Sequence, residues 1–272
     1  MSPAPPRTVR FADLGLRVAS GLALAVIAFL DIWAGGAWAA GFIALILALM
    51  LWEFHRMVTG DGRVAAPGFL VAAVAGVAAI VATATWGAAS GIGVLAAGAV
   101  AVAAAGRPWS GWLAAGYLYR GLAMGALIVL RAKEPEGVWL ILWLVLVVVA
   151  ADVGAYFVGR SVGGAKLWVR VSPGKTWSGA IGGLAFAGLA GVAFGLAVGW
   201  NAVWIGVLSL GIAVFSQLGD LLESAIKRRF GVKDASALIP GHGGVMDRLD
   251  GVMGGVWFFG VIDALGLGIL GP

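Results

Sequence analysis

Long apolar runs are the feature of this sequence that most constrains its fold. A helix needs about 20 apolar residues to cross a bilayer, and nine segments of the chain approach or reach that length. They are residues 16–34, 37–57, 67–86, 89–105, 111–130, 137–158, 178–199, 202–222 and 251–270. Within lipid, each segment must satisfy its own backbone polar groups, so these runs must be helical. The sequence therefore predicts an all-α fold, a polytopic transmembrane helical bundle of about nine spans.

Composition excludes a soluble protein. Hydrophobic residues make up 61% of the chain and charged residues 11%, whereas soluble domains have about 45–50% and 25%. The net charge of +5 is better explained by loops that set topology and meet anionic lipid than by nucleic-acid binding. The chain has no cysteine, which excludes disulfides and thiolate metal sites.

The positions of lysine and arginine predict the orientation of the spans. With a cytoplasmic N-terminus, the inner segments hold fifteen of the eighteen Lys and Arg residues, as the positive-inside rule requires. Loops 159–177 and 223–250 then face the cytoplasm. We expect one integral membrane domain over 1–272, with N-terminal spans in 1–150 and a catalytic half in 151–272.

Charged residues concentrate in the stretch 216–250, which contains five of the thirteen acidic residues. Asp220, Glu223 and Lys227 follow helical spacing and should share one face. Asp247 and Asp250 recur three residues apart at the start of the last span. Two acidic pairs on adjacent helices predict a hard-cation site, and Mg²⁺ with bound phosphates suits such a site. The predicted metal ligands are Asp220, Glu223, Asp247 and Asp250.

Basic and hydroxyl residues around these carboxylates are candidates for phosphate binding. They are Lys227, Arg228, Lys233 and Arg248 in the second charged loop, and Ser172, Lys175 and Thr176 in the first. The Gly-Lys-Thr at 174–176 is not a P-loop, because Val169 stands where that motif needs glycine. Asp152 lies within a span and is expected to pair with Lys175 or Arg160, or to face the site. His242 is either an acid/base or phosphate donor, or a residue that orders its loop.

Two charged residues of the N-terminal half are harder to assign. Glu53 lies near the end of a span and is expected to reach the membrane interface. Arg120 lies deeper in a span, where charges usually find partners. We expect Arg120 to contact a lipid phosphate or to pair with Glu53.

The stretch 216–250 closely resembles the phosphatidate cytidylyltransferase (CDP-diacylglycerol synthase) family. The matching motif consists of Ser224, Lys227-Arg228, Lys233-Asp234, Pro240-Gly241-His242-Gly243-Gly244 and Asp247-Arg248-Leu249-Asp250. Upstream, Asp220, Glu223, Asp152 and the Ser172–Trp177 segment also match, and close resemblance covers roughly 150–251. Gly174, Ser178 and Gly251 depart from the residues usual in the family, which are Lys, Glu and Ser.

The resemblance implies transfer of the cytidylyl group from CTP to phosphatidate, forming CDP-diacylglycerol and pyrophosphate. It also implies Mg²⁺ dependence, with room for a second cation, and a homodimer in a bacterial inner membrane with a cytoplasmic active site. Asp220 and Asp247 would bind metal, with Asp250 and Glu223 as additional ligands. The expected substrate contacts are Lys227, Arg228 and Lys233 on CTP, and Lys175 and Arg248 on phosphatidate or pyrophosphate, with Ser172, Thr176, Ser224, Asp152 and His242 nearby.

Two other functions fit parts of the pattern. A CTP-dependent polyprenol or lipid-alcohol kinase would also need a cytoplasmic nucleotide site, but it would release CDP rather than pyrophosphate. A cation or proton transporter would also place carboxylates in spans. Transporters often carry internal repeats, however, and the charges here gather near one end of the chain.

Overall fold

The structure is a computed structural model that describes Gly15, residues 21–23, residues 26–266 and Gly268. The helices in chain order are α1 (Gly21–Ala34), α2 (Gly36–Thr59), α3 (Pro67–Trp86), α4 (Ala88–Ala105), α5 (Ser110–Arg131), α6 (Gly137–Val162), α7 (Trp177–Val198), α8 (Ala202–Arg229) and α9 (Met246–Ala264). Between α6 and α7 lie two short strands, β1 (Lys166–Trp168) and β2 (Ser172–Thr176).

Seven helices of the described part, α2 to α8, are long and apolar enough to cross a membrane. They confirm the seven middle predicted spans as helices, and the chain is an integral membrane protein. The predicted first and ninth spans, 16–34 and 251–270, lie partly outside the described residues. Helix α8 continues past the predicted span to Arg229, as the helical spacing of Asp220, Glu223 and Lys227 predicted, and α9 already begins at Met246, before the predicted ninth span. The second charged loop is therefore shorter than the predicted 223–250.

Local sequence signals explain several helix ends. Pro67 is the first residue of α3, where its missing N–H costs nothing. The side chain of Asn201 accepts a hydrogen bond from the backbone N–H of Trp204, 3.1 Å away, and caps α8. Gly60 ends α2 with a φ of 74°, a conformation that glycine adopts without strain.

The predicted loop 159–177 contains a small antiparallel hairpin. Lys166 pairs with Thr176 and Trp168 pairs with Ser172, with an irregularity between them. Strand β2 leads directly into α7, whose N-terminal cap is Thr176. The hairpin thus has a fixed anchor on the bundle, so its charged residues are held near the helix ends.

Glycines allow α8 and α9 to approach closely. A Cβ atom added at Gly219 would lie 2.6 Å from the carbonyl oxygen of Asp250, and one added at Gly254 would overlap the carbonyl of Phe215. Small residues serve this purpose in membrane bundles. The close contact places the carboxylate of Asp220, the residue after Gly219, near the start of α9.

Candidate active site

A cluster of buried charges joins the end of α8 to the start of α9. Lys227 Nζ lies 2.7 Å from Asp247 Oδ1 and 3.3 Å from Glu223 Oε1. The exposed fractions of these side chains are 11% for Lys227, 6% for Asp247 and 4% for Glu223. The ion pair confirms that Glu223 and Lys227 share a helix face. We call Lys227, Glu223 and Asp247 the buried cluster.

Asp247 also organises the loop that precedes α9. Its Oδ2 accepts hydrogen bonds from the backbone N–H groups of Ala235 and Gly244, each at 2.9 Å. Gly243 has a φ of +86°, and a Cβ atom there would lie 3.0 Å from the same oxygen. Because Lys227 occupies the other oxygen, both oxygens of Asp247 already accept hydrogen bonds.

Glu53 holds the same loop from the N-terminal half of the chain. Its Oε1 accepts hydrogen bonds from Ser236 Oγ at 2.5 Å and the N–H of Val245 at 2.9 Å, and its Oε2 accepts from the N–H of Met246 at 2.7 Å. The first N–H groups of a helix lack helical partners and favour a carboxylate. Glu53 is fully buried, so the expectation that it reaches the interface is wrong. Sequence reasoning missed this role, although a carboxylate inside an apolar span was a signal of function.

Arg120 contacts the start of α9 from another side. Its Nη2 donates to the sulfur of Met246 at 2.8 Å, its Nη1 donates to the carbonyl of Gly116 at 3.2 Å, and its Cζ lies 4.1 Å from the ring centroid of Phe54. Arg120 interacts electrostatically with Glu53, but among the described residues the two side chains form no direct ion pair. Glu53 instead accepts hydrogen bonds from the start of α9.

A second cluster of charges is more accessible. Lys175 Nζ, on the hairpin, lies 2.5 Å from Asp220 Oδ2, and Ser224 Oγ donates to Asp220 Oδ1 at 3.3 Å. The exposed fractions of the Lys175 and Asp220 side chains are 28% and 31%. Asp152 and Asp250 interact electrostatically with Asp220, and Asp152 also interacts with Lys175, one of its expected partners. We call Lys175, Asp220, Asp152 and Asp250 the open cluster.

The two hydroxyl candidates of the hairpin differ in position. Thr176 is buried, and its Oγ1 accepts a hydrogen bond from the N–H of Gly179 at 3.1 Å. This hydroxyl caps α7. Ser172 is half-buried and lies opposite Trp168 in the hairpin, nearer to the surface than Thr176.

Arg228 connects the hairpin to the end of α8. Its Nε donates to the carbonyl of Val171 at 3.5 Å and its Nη1 donates to the carbonyl of Val232 at 3.4 Å. Lys233, in the following loop, is exposed. Both cations therefore lie at the same end of the bundle as the open cluster.

His242 and Arg248 lie together in the glycine-rich loop and the first turn of α9. Arg248 Nε donates to the carbonyl of His242 at 2.9 Å, and the His242 N–H donates to the carbonyl of Ile239 at 2.9 Å. The imidazole of His242 faces Gly21 of α1, because a Cβ atom there would lie 3.6 Å from its Cε1. The backbone of His242 thus helps to shape the loop.

The acidic residues fit a metal ion that takes some of its ligands from the protein and the others from a substrate. Among the residues that the structure describes, no three acidic or histidine side chains lie close enough to enclose a metal ion by themselves. Mg²⁺ uses one or two carboxylates and completes its shell with waters and phosphate oxygens. Asp220 and Asp250 suit this, since their charges repel each other and a cation near both would relieve the repulsion. Asp247 would first have to exchange a hydrogen bond for the metal.

The chain belongs to the cytidylyltransferase family, whose model matches residues 15–264. The phosphatidate cytidylyltransferase of Brucella suis biovar 1 is 38% identical over 264 residues, 93% of this chain and 95% of the relative. That of Haemophilus influenzae is 47% identical over 130 residues, 46% of this chain and 45% of the relative. That of Bacillus subtilis is 39% identical over 142 residues, 52% of this chain and 53% of the relative. These matches confirm the resemblance predicted from the motifs.

Proposed function

We propose that this protein transfers the cytidylyl group of CTP to phosphatidate. A phosphate oxygen of phosphatidate attacks the α-phosphorus of CTP, the bond from that phosphorus to the β-phosphate oxygen breaks, and pyrophosphate leaves. The product is CDP-diacylglycerol. The main support for this proposal is the open cluster, which lies at one end of a membrane bundle. The relatives of the chain are phosphatidate cytidylyltransferases by name.

The reaction needs positioning and charge neutralisation more than a general base. The attacking phosphate is already an anion, and the transition state spreads further negative charge over phosphate oxygens. Groups that are preorganised toward that charge give most of the rate. Lys175 is suited to this role, because its ammonium group is part-exposed and held by an exchangeable ion pair with Asp220.

Within this proposal Asp220 and Asp250 would hold Mg²⁺, and a second cation would lie beside them. The metal would supply neutralisation of the phosphate charges. Asp247 and Glu223 remain predicted ligands, and binding through them requires Lys227 to move away. In the present arrangement they act with Lys227 to fix the start of α9.

The remaining candidates would bind the substrates. Arg228 and Lys233 lie where CTP phosphates would approach the end of α8. Arg248 lies in the first turn of α9. Ser224 orients the Asp220 carboxylate through its hydrogen bond. We assign Thr176 to holding the start of α7, since its hydroxyl accepts from the N–H of Gly179 and bonds to Ser178 Oγ. The backbone of His242 shapes the loop, and its side chain remains a candidate acid/base or phosphate donor.

We further propose nine spans, a cytoplasmic N-terminus and an active site on the cytoplasmic side of a bacterial inner membrane. The distribution of lysine and arginine supports this orientation, and CTP is a cytoplasmic substrate. The hairpin, the end of α8 and the start of α9 then face the cytoplasm together. We also propose a homodimer, as the family resemblance implies.

A labelled-substrate assay tests the reaction. Purified protein in detergent is incubated with phosphatidate, Mg²⁺ and CTP labelled at the α-phosphate, and the lipid phase is counted. We expect label in the lipid, one pyrophosphate for each labelled lipid, and no transfer after EDTA. If label stays in the water phase, in bilayers as well as in detergent, the proposal is wrong. Lipid alcohols with γ-labelled CTP and ion flux would then test the kinase and transporter functions, which the relatives do not favour.

A further inference from the structure

A large apolar cavity lies among the membrane helices α3, α4, α5 and α9. Its volume is about 450 Å³, within the range of about 300–1,000 Å³ that ligand pockets occupy. Its walls include Ile92, Leu95, Leu122, Val256 and Phe259. The hydroxyl group of Thr83, in its lining, is already bonded to the carbonyl of Ala79 at 2.8 Å. Among the described lining residues Trp257 Nε1 is a buried donor without a partner, so the walls offer a water molecule few partners.

Two stacked aromatic rings, those of Tyr119 and Trp257, lie between the cavity and the active site. Tyr119 interacts electrostatically with Asp250 and Glu223. The ring of Tyr119 stacks on that of Trp257, with centroids 5.7 Å apart and an interplanar angle of 16°. Trp257 in turn lines the cavity. Trp257 thus belongs to the cavity wall, and its stacking partner Tyr119 lies within electrostatic range of two carboxylates of the site.

Helix α9 sets the distance between the two sites. Its wall residues run from Val256 to Val261, and Asp250 lies nearer the start of the same helix. At about 1.5 Å per residue, the cavity lies about 9–17 Å along α9 from Asp250. A lipid whose phosphate lies at the open cluster would carry its hydrocarbon chains over this range of depth.

We propose that this cavity receives an acyl chain of the phosphatidate substrate while the phosphate lies at the open cluster. The inference rests on the proposed function. An apolar space of this kind accepts hydrocarbon in preference to water. The stacked Tyr119 and Trp257 lie between the charged and apolar parts, where the glycerol backbone of the lipid would pass. The cavity would thus select among substrates by chain length.

Gly260 provides a way to fill the cavity without disturbing the site. It lines the cavity, and a Cβ atom added there meets nothing within 4 Å. The side chain of a Gly260→Leu variant would occupy the space that the end of an acyl chain needs. Gly93→Leu is the matched control, because Gly93 is an exposed helical glycine, also has nothing within 4 Å, and lies outside the cavity lining.

The experiment is a competition in one tube. Dioctanoyl and dipalmitoyl phosphatidate are mixed in equal amounts in detergent micelles with CTP and Mg²⁺, and the ratio of the two CDP-diacylglycerol products is measured by mass spectrometry. This ratio does not depend on how much enzyme is folded. We expect Gly260→Leu to lower the dipalmitoyl-to-dioctanoyl ratio about tenfold, the usual scale of steric discrimination in apolar pockets, and Gly93→Leu to leave it unchanged.

A second filling variant comes from another wall. A Cβ atom at Gly125, on α5, would lie 3.7 Å from Thr83 Oγ1, an ordinary contact. Gly125→Val should lower the same product ratio. If Gly260→Leu does not fold, the ratio measured with Gly125→Val tests the proposal. Unchanged ratios in the folded filling variants would overturn the inference while the proposed function stands. Absence of both products in the unmodified protein would instead overturn the proposed function.

Discussion

The two lysine–carboxylate clusters around the end of α8 and the start of α9 use the same residue types for different purposes. In the buried cluster Lys227 contacts Glu223 and Asp247, and all three side chains are nearly inaccessible. In the open cluster Lys175 contacts Asp220, and about a third of each side chain is exposed. Buried charges need fixed partners, whereas exposed ones exchange partners at small cost. The first arrangement is suited to holding the fold and the second to binding charged ligands.

Charge balance strengthens this contrast. Arg120 interacts favourably with Glu223, so the buried cluster and Arg120 together have two cations for two carboxylates. The open cluster itself contains one cation, Lys175, for the carboxylates of Asp152, Asp220 and Asp250, and Lys227 of the buried cluster also attracts Asp250. The buried cluster is therefore balanced in formal charge when Arg120 is counted with it. The open cluster carries excess negative charge, which a divalent cation would compensate.

The largest effect should come from removing the cation of the buried cluster. Lys227→Met leaves Glu223 and Asp247 without their shared partner, and losing one member of a buried pair costs about 3–5 kcal/mol. We expect a large fall in Tm and loss of activity. Thermal unfolding followed by tryptophan fluorescence in detergent measures this.

Arg229→Met is the matched control on the same helix, because Arg229 is exposed. Its Tm should equal that of the unmodified protein. A Lys227→Met protein that unfolds at the normal temperature would show that the buried cluster does not stabilise the fold.

The next effect separates activity from stability. Asp220→Asn keeps the shape of the side chain but removes the charge that would attract a cation and hold Lys175. We expect kcat/KM to fall about 10²–10³-fold, as when one electrostatic contact to a transition state is lost. The Tm should stay unchanged, because the ion pair is part-exposed.

Asp234→Asn serves as the control for this substitution, since Asp234 is an exposed acid of the nearby loop. It should retain full turnover. Near-normal turnover of Asp220→Asn would remove Asp220 from the site, and a Tm loss equal to that of Lys227→Met would erase the distinction between the clusters.

The contrast between local and long-range contacts explains what the sequence could predict. Helical spacing alone placed Glu223 and Lys227 on one face, and apolar length alone predicted α2 to α8. Neither could predict that Glu53 bonds to Met246, 193 residues further along the chain. The contact of Lys175 with Asp220 depends on a hairpin whose polar strands resemble a loop in sequence. The spacing of residues in the sequence predicts which side chains share a helix face. Which other element packs against that face depends on the tertiary structure.

A smaller loss of stability should follow from weakening the loop before α9, to which both Asp247 and Glu53 are hydrogen-bonded. Glu53→Gln replaces one acceptor oxygen by an amide NH₂ group, which would face a backbone N–H at the start of α9. An unsatisfied buried donor costs about 1–3 kcal/mol. We expect a modest fall in Tm and a fall in kcat with little change in the KM for CTP, measured with the labelled-CTP assay.

Glu134→Gln is the control for this loop prediction, because Glu134 is an exposed acid. Glu134→Gln should alter neither the Tm nor kcat. A rise in the KM for CTP at normal kcat would instead indicate that Glu53 acts on nucleotide binding rather than on the position of α9.

The smallest effect is expected at an ion pair outside both clusters. Arg63 Nη2 lies 2.8 Å from Asp61 Oδ2 in the α2–α3 loop, and hydrogen bonds from Arg63 lower the pKa of Asp61 to about 2. A lowered carboxyl pKa adds stability above the ordinary carboxyl pKa and loses it as the pH falls toward 2. Both groups are solvated, so Arg63→Ala should leave turnover and Tm unchanged at neutral pH. A Tm loss comparable to that of Glu53→Gln would show that burial does not determine how much each charged contact contributes to stability. The comparison of the two clusters would then be wrong.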